Sequence, residues 1–368
     1  MVKDSKIDKA LIVVTALLLL FGLIMIYSTT SILAKEGYGN SFYFLERQAI
    51  WLLVGLIIAT IVSSLKNPYY LDKRLVFAVI TVAIVGLILV FFSGRINHTY
   101  RWIRFSGFSV QPSEFAKIAV VIYLAFILSR KTNDVNDIKK LSVLLIPFFI
   151  VELLILKEPD LGSFFLILII SMIMLFVAGL KIRYFFYSSL FLGLVLYWFI
   201  KLNPEKLNRI FAFLKPEEYA NTYSFQALQS VYAVGSGGIF GKGLGNSTQK
   251  LFFLPYAYSD FIYAIVSEEV GLLGAFIVIV LFFIFLIRGI NIAKYSGNQH
   301  TYLLVIGLSF LIVIQAMINI SVAIGIFPTK GLPLPFISNG GSSLITSLII
   351  TGIILNVSRL RKTVLLND

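Results

Sequence analysis

Long apolar stretches separated by short polar connections run through almost the whole chain. They fall at 10–28, 49–65, 75–93, 114–129, 141–156, 162–180, 184–200, 261–287, 301–323 and 342–357, the fifth and tenth being short. Runs of this length predict helices that cross a bilayer. The expected fold is an all-α integral membrane protein of about ten transmembrane helices. No shift in composition marks a second domain, and no repeat of solenoid or inverted-transporter kind is evident. Residues 1–368 are therefore expected to form a single polytopic membrane domain.

One connection differs from the rest. Residues 201–260 carry a helix-like piece, "YSFQALQSVYAV", followed by a glycine cluster, "GSGGIFGKGLGNS". Loops this long are functional or disordered more often than passive, and the aromatic and glycine content predicts a packed, re-entrant or interfacial structure. Its side follows from Lys and Arg in the short connections. With the N-terminus cytoplasmic, seventeen fall inside and seven outside. Both termini are thus expected in the cytoplasm, and the long loop between spans seven and eight outside. The first span, with about 19 apolar residues and no small-residue cleavage site, reads as retained rather than as a signal peptide.

Composition agrees. The chain has 368 residues, of which 58% are hydrophobic and 13% charged, against about 25% charged in soluble proteins. The net charge of +13 is scattered over many loops and forms no basic stripe with interleaved aromatics, so nucleic acid is not an expected partner. The absence of cysteine excludes disulfides and thiolate metal sites. The glycine cluster is no P-loop, because Ser236 stands where the first glycine is needed and Gly243 follows Lys242; it also lacks the GxGxxG order. His98 and His300 fall in loops on opposite sides, which argues against a histidine-based metal site or triad.

Carboxylates and cations on the outer side remain. In "QKLFFLPYAYSDFIYAIVSEEVGLLGAFIVIV" (Gln249 to Val280), Asp260 stands at the mouth of the eighth span. It is either a helix N-cap or a partly desolvated carboxylate able to take a proton from a hydroxyl; the two roles can coexist. Glu268 and Glu269 lie about two turns inside, about 80° and 180° around the helix from Asp260. They cannot both share its face, so at least one is expected to pair with a basic or polar group on a neighbouring helix. Glu114 and Lys117 are spaced for a local ion pair, although the lysine could instead bind an anionic head group. Gln315 and Asn319 are expected to join helices. Phe327 to Ser343, "FPTKGLPLPFISNGGSS", is either a stiff connector or a wall of the outer cavity.

These segments, with "RWIRFSGFSVQPSEFAK" and "EPDLG", closely resemble the signature motifs of the SEDS family (shape, elongation, division and sporulation proteins), over nearly the whole chain. The "PTKG" turn and "GLGNSTQKLFFLP" lean towards its division and sporulation branches, whereas "GLPLP" leans slightly towards the elongation branch. The resemblance implies a peptidoglycan glycosyltransferase that polymerises lipid II outside the cytoplasmic membrane. Its implied partners are a class B penicillin-binding protein and other divisome or elongasome components. It makes Asp260 the general base and offers Arg101, Lys117 and Lys330, then Arg209 and Lys242, as cations for the pyrophosphate. Glu114 and Ser338 complete the implied substrate-binding set. No organic cofactor is implied; a divalent cation, Mg or Mn, could bridge the pyrophosphate. Tyr256 and Tyr258 replace a common glutamate and histidine, Asn339 replaces a tyrosine, and Glu158 replaces a glutamine. Glu158 is expected to add negative charge beside Asp160. The rival functions are a flippase for lipid-linked precursor and a non-catalytic scaffold for a synthase.

Overall fold

The computed structural model describes residues 7–66, 72–94, 100–105, 108–130, 135–201, 204–222, 224–251 and 253–364. His98, Arg95, Lys131, Lys3 and Lys6, used above for chemistry or orientation, lie outside these residues.

The chain is mostly helical, and every apolar run coincides with helix. In order the helices are α1 (Lys9–Tyr38), α2 (Tyr43–Ser64), α3 (Lys73–Val90), α4 (Pro112–Leu128), α5 (Ile138–Leu144), α6 (Ile146–Lys157), α7 (Leu161–Val177), α8 (Ile182–Lys201), α9 (Pro204–Leu214), α10 (Phe225–Ser236), α11 (Ile262–Lys294), α12 (Gln299–Ala323) and α13 (Gly341–Val364). Among the described residues, α1, α2, α3, α11, α12 and α13 are each long and apolar enough to cross a membrane. The fifth run is split into α5 and α6. Pro147 lies in the first turn of α6, where its missing N–H is tolerated but where it cannot continue a helix from α5.

Two features depart from the expected pattern. The 201–260 connection contains α10, where the helix-like piece was expected, and also α9, which was not. The all-α expectation also needs correction: Ile103–Phe105 (β1) and Phe108–Val110 (β2) pair as an antiparallel hairpin with Ile103 opposite Val110. This ladder lets the short polar connection before α4 satisfy its own backbone groups.

The core forms around α4 and α12. Nearly every residue of α4 from Pro112 to Leu128 is buried, and α12 packs against α4, α7, α11 and α13. The outer helices present apolar side chains to the surroundings, including Leu17 and Leu20 on α1, Leu53 and Ile57 on α2, and Val82 on α3. Such exposure suits lipid rather than water.

The eighth run contains a break. Gly271 within α11 has φ 72° and ψ −173°, a conformation that glycine alone adopts cheaply. There the backbone groups pair with the glycine cluster. Lys242 N and Gly243 N donate to the carbonyls of Glu268 and Glu269 at 2.9 and 3.0 Å. In return, Leu272 N and Leu273 N donate to the carbonyls of Gly238 and Ile239 at 2.9 and 3.3 Å. Such close approach requires the absence of side chains: a Cβ on Gly237 would lie 2.0 Å from the Ser267 carbonyl oxygen.

The two glutamates sit in this junction. Glu268 accepts from Lys242 Nζ at 2.7 Å and from the hydroxyls of Ser247 and Thr248. Glu269 accepts from Lys250 Nζ at 2.8 Å and from Ser28 of α1. Both carboxylates are thus paired as expected, but the cations come from the glycine-rich connection rather than from a neighbouring helix.

Gly237→Ala is expected to lower stability by about 3 kcal/mol, within the range for a backbone clash in a packed site. Gly235→Ala, with open space around its position, is expected to leave stability unchanged or slightly higher. Thermal melting of the two variants in one detergent distinguishes them.

Candidate active site

Asp260 lies in the turn that leads into α11. Its carboxylate does not cap that helix: Phe261 occupies the cap position, with no side-chain cap bond. Among the described residues, backbone contacts fix this turn from two sides. Asn319 of α12 donates from one amide nitrogen to the carbonyl of Asp260 at 2.8 Å and to that of Leu332 at 2.7 Å. Ser338 donates to the Ser259 carbonyl at 2.6 Å, and Asn339 N donates to the Tyr258 carbonyl at 3.0 Å. Tyr256 holds φ 58° at the start of the turn, a left-handed conformation that the surrounding bonds must maintain.

The Asp260 side chain faces a cavity of about 600 Å³. Arg101, Arg209, Lys330 and Asp160 share its wall, together with the starts of α7 and α10. Gly331 covers the carboxylate: a Cβ there would lie 3.0 Å from Asp260 Oδ2. Burial under this loop raises the Asp260 pKa to about 6; Arg101 opposes the shift and Asp160 adds to it. The group is therefore poised to exchange a proton near neutrality.

The cations are held differently. Arg101 donates to the Pro159 carbonyl at 2.5 Å and lies 4.0 Å from Asp160 Oδ1. Its Nε is buried without a hydrogen-bond partner among the described residues. Lys330 places Nζ 3.8 Å from the centre of the Phe165 ring, a cation–π contact. Arg209 projects from α9 and is exposed. Asp160 caps α7, accepting from Ser163 N at 3.3 Å and the Ser163 hydroxyl at 2.8 Å.

The structure thus brings Asp260, Arg101, Arg209 and Lys330 to one cavity, and sets the other candidates elsewhere. Lys117 and Glu114 form a buried ion pair at 2.7 Å. Lys117 also donates to Gln315, whose amide in turn donates to the Pro333 carbonyl at 2.9 Å. Lys242 is committed to Glu268, and the buried Ser338 hydroxyl lies between two loops. None of Lys117, Glu114, Lys242 and Ser338 lines the cavity. His300 begins α12 rather than sitting in a loop.

Gln315 joins α12 to α4 as expected, by accepting from Lys117; in addition Gln315 and Asn319 donate to loop carbonyls, and Asn319 supports the turn carrying Asp260. Their i, i+4 spacing was visible, but nothing local revealed the distant carbonyls. Glu158 does not add the expected negative charge. Its carboxyl is fully buried, and neither oxygen is hydrogen-bonded among the described residues. Burial, reinforced by Asp160 and opposed by Arg101, raises its pKa to about 9, so the group is neutral at pH 7.

Comparison with known proteins is consistent across sequence and fold. The family model for FtsW, RodA and SpoVE, described as cell cycle proteins, matches residues 8–363. The chain belongs to the FtsW/RodA/SpoVE family. A protein of Trichlorobacter lovleyi named "Probable peptidoglycan glycosyltransferase FtsW" is 37% identical, with 96% of this chain and 93% of that protein covered. Stage V sporulation protein E of Bacillus subtilis is 38% identical, with 97% and 98% covered. Among solved structures, a mutant of the rod shape determining protein RodA of Thermus thermophilus is 25% identical with a TM-score of 0.70, 96% of this chain and 98% of that one being covered. A chain from a peptidoglycan synthase complex that coordinates polymerization and crosslinking has a TM-score of 0.81 at 24% identity, with 96% and 98% covered. As in other members of the FtsW/RodA/SpoVE family, the chain is a multi-pass membrane protein.

Because the folded pKa of Glu158 exceeds its ordinary 4.5, ionisation of the unfolded chain costs native stability progressively as pH rises from about 4.5 to about 9. Glu158→Gln should therefore melt higher than wild type, by a margin that widens from pH 5 to pH 9. A margin independent of pH would show that Glu158 is not a neutral acid in the fold.

Proposed function

We propose that the protein is a peptidoglycan glycosyltransferase that polymerises lipid II at the outer face of the cytoplasmic membrane, with Asp260 as general base. The observation that carries this reading is the half-buried carboxylate of Asp260, without a hydrogen bond among the described residues, on the same cavity wall as three cations. Asp260 takes the proton of the acceptor sugar hydroxyl, whose oxygen forms a bond to the anomeric carbon of the donor. The bond from that carbon to the undecaprenyl pyrophosphate breaks, and Arg101, Arg209 and Lys330 stabilise the charge that collects on the leaving group. Lipid tails remain beside the apolar helices, so no soluble sugar-nucleotide domain is needed.

A divalent cation fits this site only as an ion shared with substrate. Among the described residues no cluster of three His, Cys, Asp or Glu side chains could hold one. Asp160 and Asp260 are the carboxylates on the cavity wall, and pyrophosphate oxygens would complete the shell. Such an ion would supply further positive charge to the leaving group.

The orientation that suits this chemistry has ten spans, both termini in the cytoplasm and the 201–260 connection outside. A class B penicillin-binding protein is the proposed partner, supported by the likeness to a chain from a peptidoglycan synthase complex. Likeness to FtsW and to a sporulation protein supports work at a division septum.

The test is polymerisation of labelled lipid II by purified protein with its cognate penicillin-binding partner, whose cross-linking site is blocked. Wild type should make glycan strands and an equally folded Asp260→Asn variant none; equal strands from both would remove Asp260 from the chemistry. If neither makes strands while labelled lipid is scrambled across vesicles, the protein is a transporter. Wild-type rate should rise with pH to a plateau above neutrality, half-maximal near the Asp260 pKa of about 6. Arg101→Ala and Lys330→Ala should each slow polymerisation by about ten- to a hundredfold.

A further inference from the structure

Outside the cavity, an assembly of aromatic side chains that the mechanism does not use lies at the far end of α1 and the start of α2. Tyr38 and Tyr43 stack with ring centres 3.9 Å apart, and Phe44 meets both edge-on at 5.7 and 5.3 Å. Tyr27 stacks on Phe42 at 5.1 Å. These rings are not buried as a core: Tyr38 is 55% exposed and Phe42 50%. Beside them runs an open groove of about 660 Å³, walled by Tyr27, Ile32, Ser31, Ser41, Lys35 and Glu36.

A belt of tyrosines at the lipid head groups would account for Tyr27, which ends the first apolar run. It does not account for Tyr38. α1 continues for ten residues past that run, through "TTSILAKEGY", which is about 15 Å of helix. With the first apolar run as the membrane-crossing part, the Tyr38–Tyr43 stack lies beyond the hydrocarbon, and a patch of exposed aromatic surface there is of the kind that marks a ligand site. The flanking groups are hydroxyls and charges that balance in sign: Lys35 and Glu36 in the groove, and on α2 Glu46 with Arg47, which donates to the Tyr43 hydroxyl at 2.8 Å and lies over its ring. Such a surface suits a largely uncharged, hydroxyl-rich ligand with apolar C–H faces, a sugar chain. It differs in charge from the cavity, where Arg101, Arg209 and Lys330 gather.

The platform is joined to the reacting centre. Phe44 packs on Tyr258 at 5.4 Å, two residues before Asp260 in the turn held by Asn319 and Ser338. Polymerisation brings together a pyrophosphate-bearing sugar and a second saccharide, and the cations of the cavity suit only the first of these needs. We propose that the aromatic surface of α1 and α2 centred on Tyr38 and Tyr43 is a binding site for the glycan strand. This rests on the glycosyltransferase reading of Asp260. The strand lies with sugar faces on the rings and hydroxyls towards Ser31, Ser41, Lys35 and Glu36, on the opposite side of the 256–260 turn from the cationic cavity.

The test uses full-length Asp260→Asn protein, which should not turn over, and an uncross-linked tetrasaccharide of alternating N-acetylglucosamine and N-acetylmuramic acid without lipid or pyrophosphate. Tyr38→Ala and Tyr43→Ala in that background should each weaken its binding at least tenfold, while Arg209→Ala should change it less than twofold. In protein with Asp260 intact, the two tyrosine variants should shorten the strands made while keeping the rate of the first addition. Tetrasaccharide binding that is unchanged in both tyrosine variants would overturn the proposal. So would normal binding together with loss of the penicillin-binding partner, since the surface would then be a protein interface. Because binding is read without turnover, a protein that fails to polymerise lipid II yet binds the tetrasaccharide through Tyr38 overturns the glycosyltransferase reading and leaves the saccharide site standing.

Discussion

Backbone groups deprived of water must find partners within the protein, and the break in α11 shows how strongly this requirement shapes the molecule. Opening a helix at Gly271 frees carbonyls and amides that lipid cannot satisfy. The glycine cluster meets them with its own backbone at four hydrogen bonds, and Lys242 and Lys250 neutralise the glutamates at the junction. Three elements meet at this junction: α10 leads into it, α1 joins through Ser28, and the turn bearing Asp260 leads into the first half of α11.

A second level of order lies in the polar side chains inside the bundle. Glu114, Lys117, Gln315 and Asn319 form a sequence of contacts from α4 through α12 to the loops over Asp260. Buried ionic groups of this kind are weak sources of net stability but are costly to leave half-paired. Here their effect is geometric. They fix the backbone that presents the carboxylate while leaving that carboxylate itself without a hydrogen bond among the described residues. Its raised pKa follows from burial, which outweighs the opposing charge of Arg101 while Asp160 adds to the shift.

Helices were legible in the sequence because runs of apolar residues depend on local composition, and each run coincides with helix. The interruptions were less so. Pro147 was readable as a break in principle, but Gly271 sits in a continuous apolar stretch and is opened by a segment thirty residues earlier. The hairpin before α4 is too short for its pattern to stand out. Of the site, Asp260, Arg101, Arg209 and Lys330 share one cavity, whereas Lys117 and Lys242 look equally available in sequence and are consumed by Glu114 and Glu268. Charge alone cannot separate a binding cation from a paired one; the partner's position does. Glu158 illustrates the same limit, since only its burial reveals that it is neutral. Lys250 passed unremarked because its partner, Glu269, lies nineteen residues away across the junction.

The order of the glycine cluster and α11 along the chain also bears on biosynthesis. Residues 237–250 precede α11, so they leave the ribosome before it does. When Glu268, Glu269 and Gly271 emerge, the lysines and amides that receive them are already present. A segment with adjacent carboxylates and an opened backbone would be a poor candidate for insertion on its own. Its acceptance into the bilayer therefore depends on a partner synthesised moments earlier, and reversing the two segments would keep the composition while removing the means of assembly.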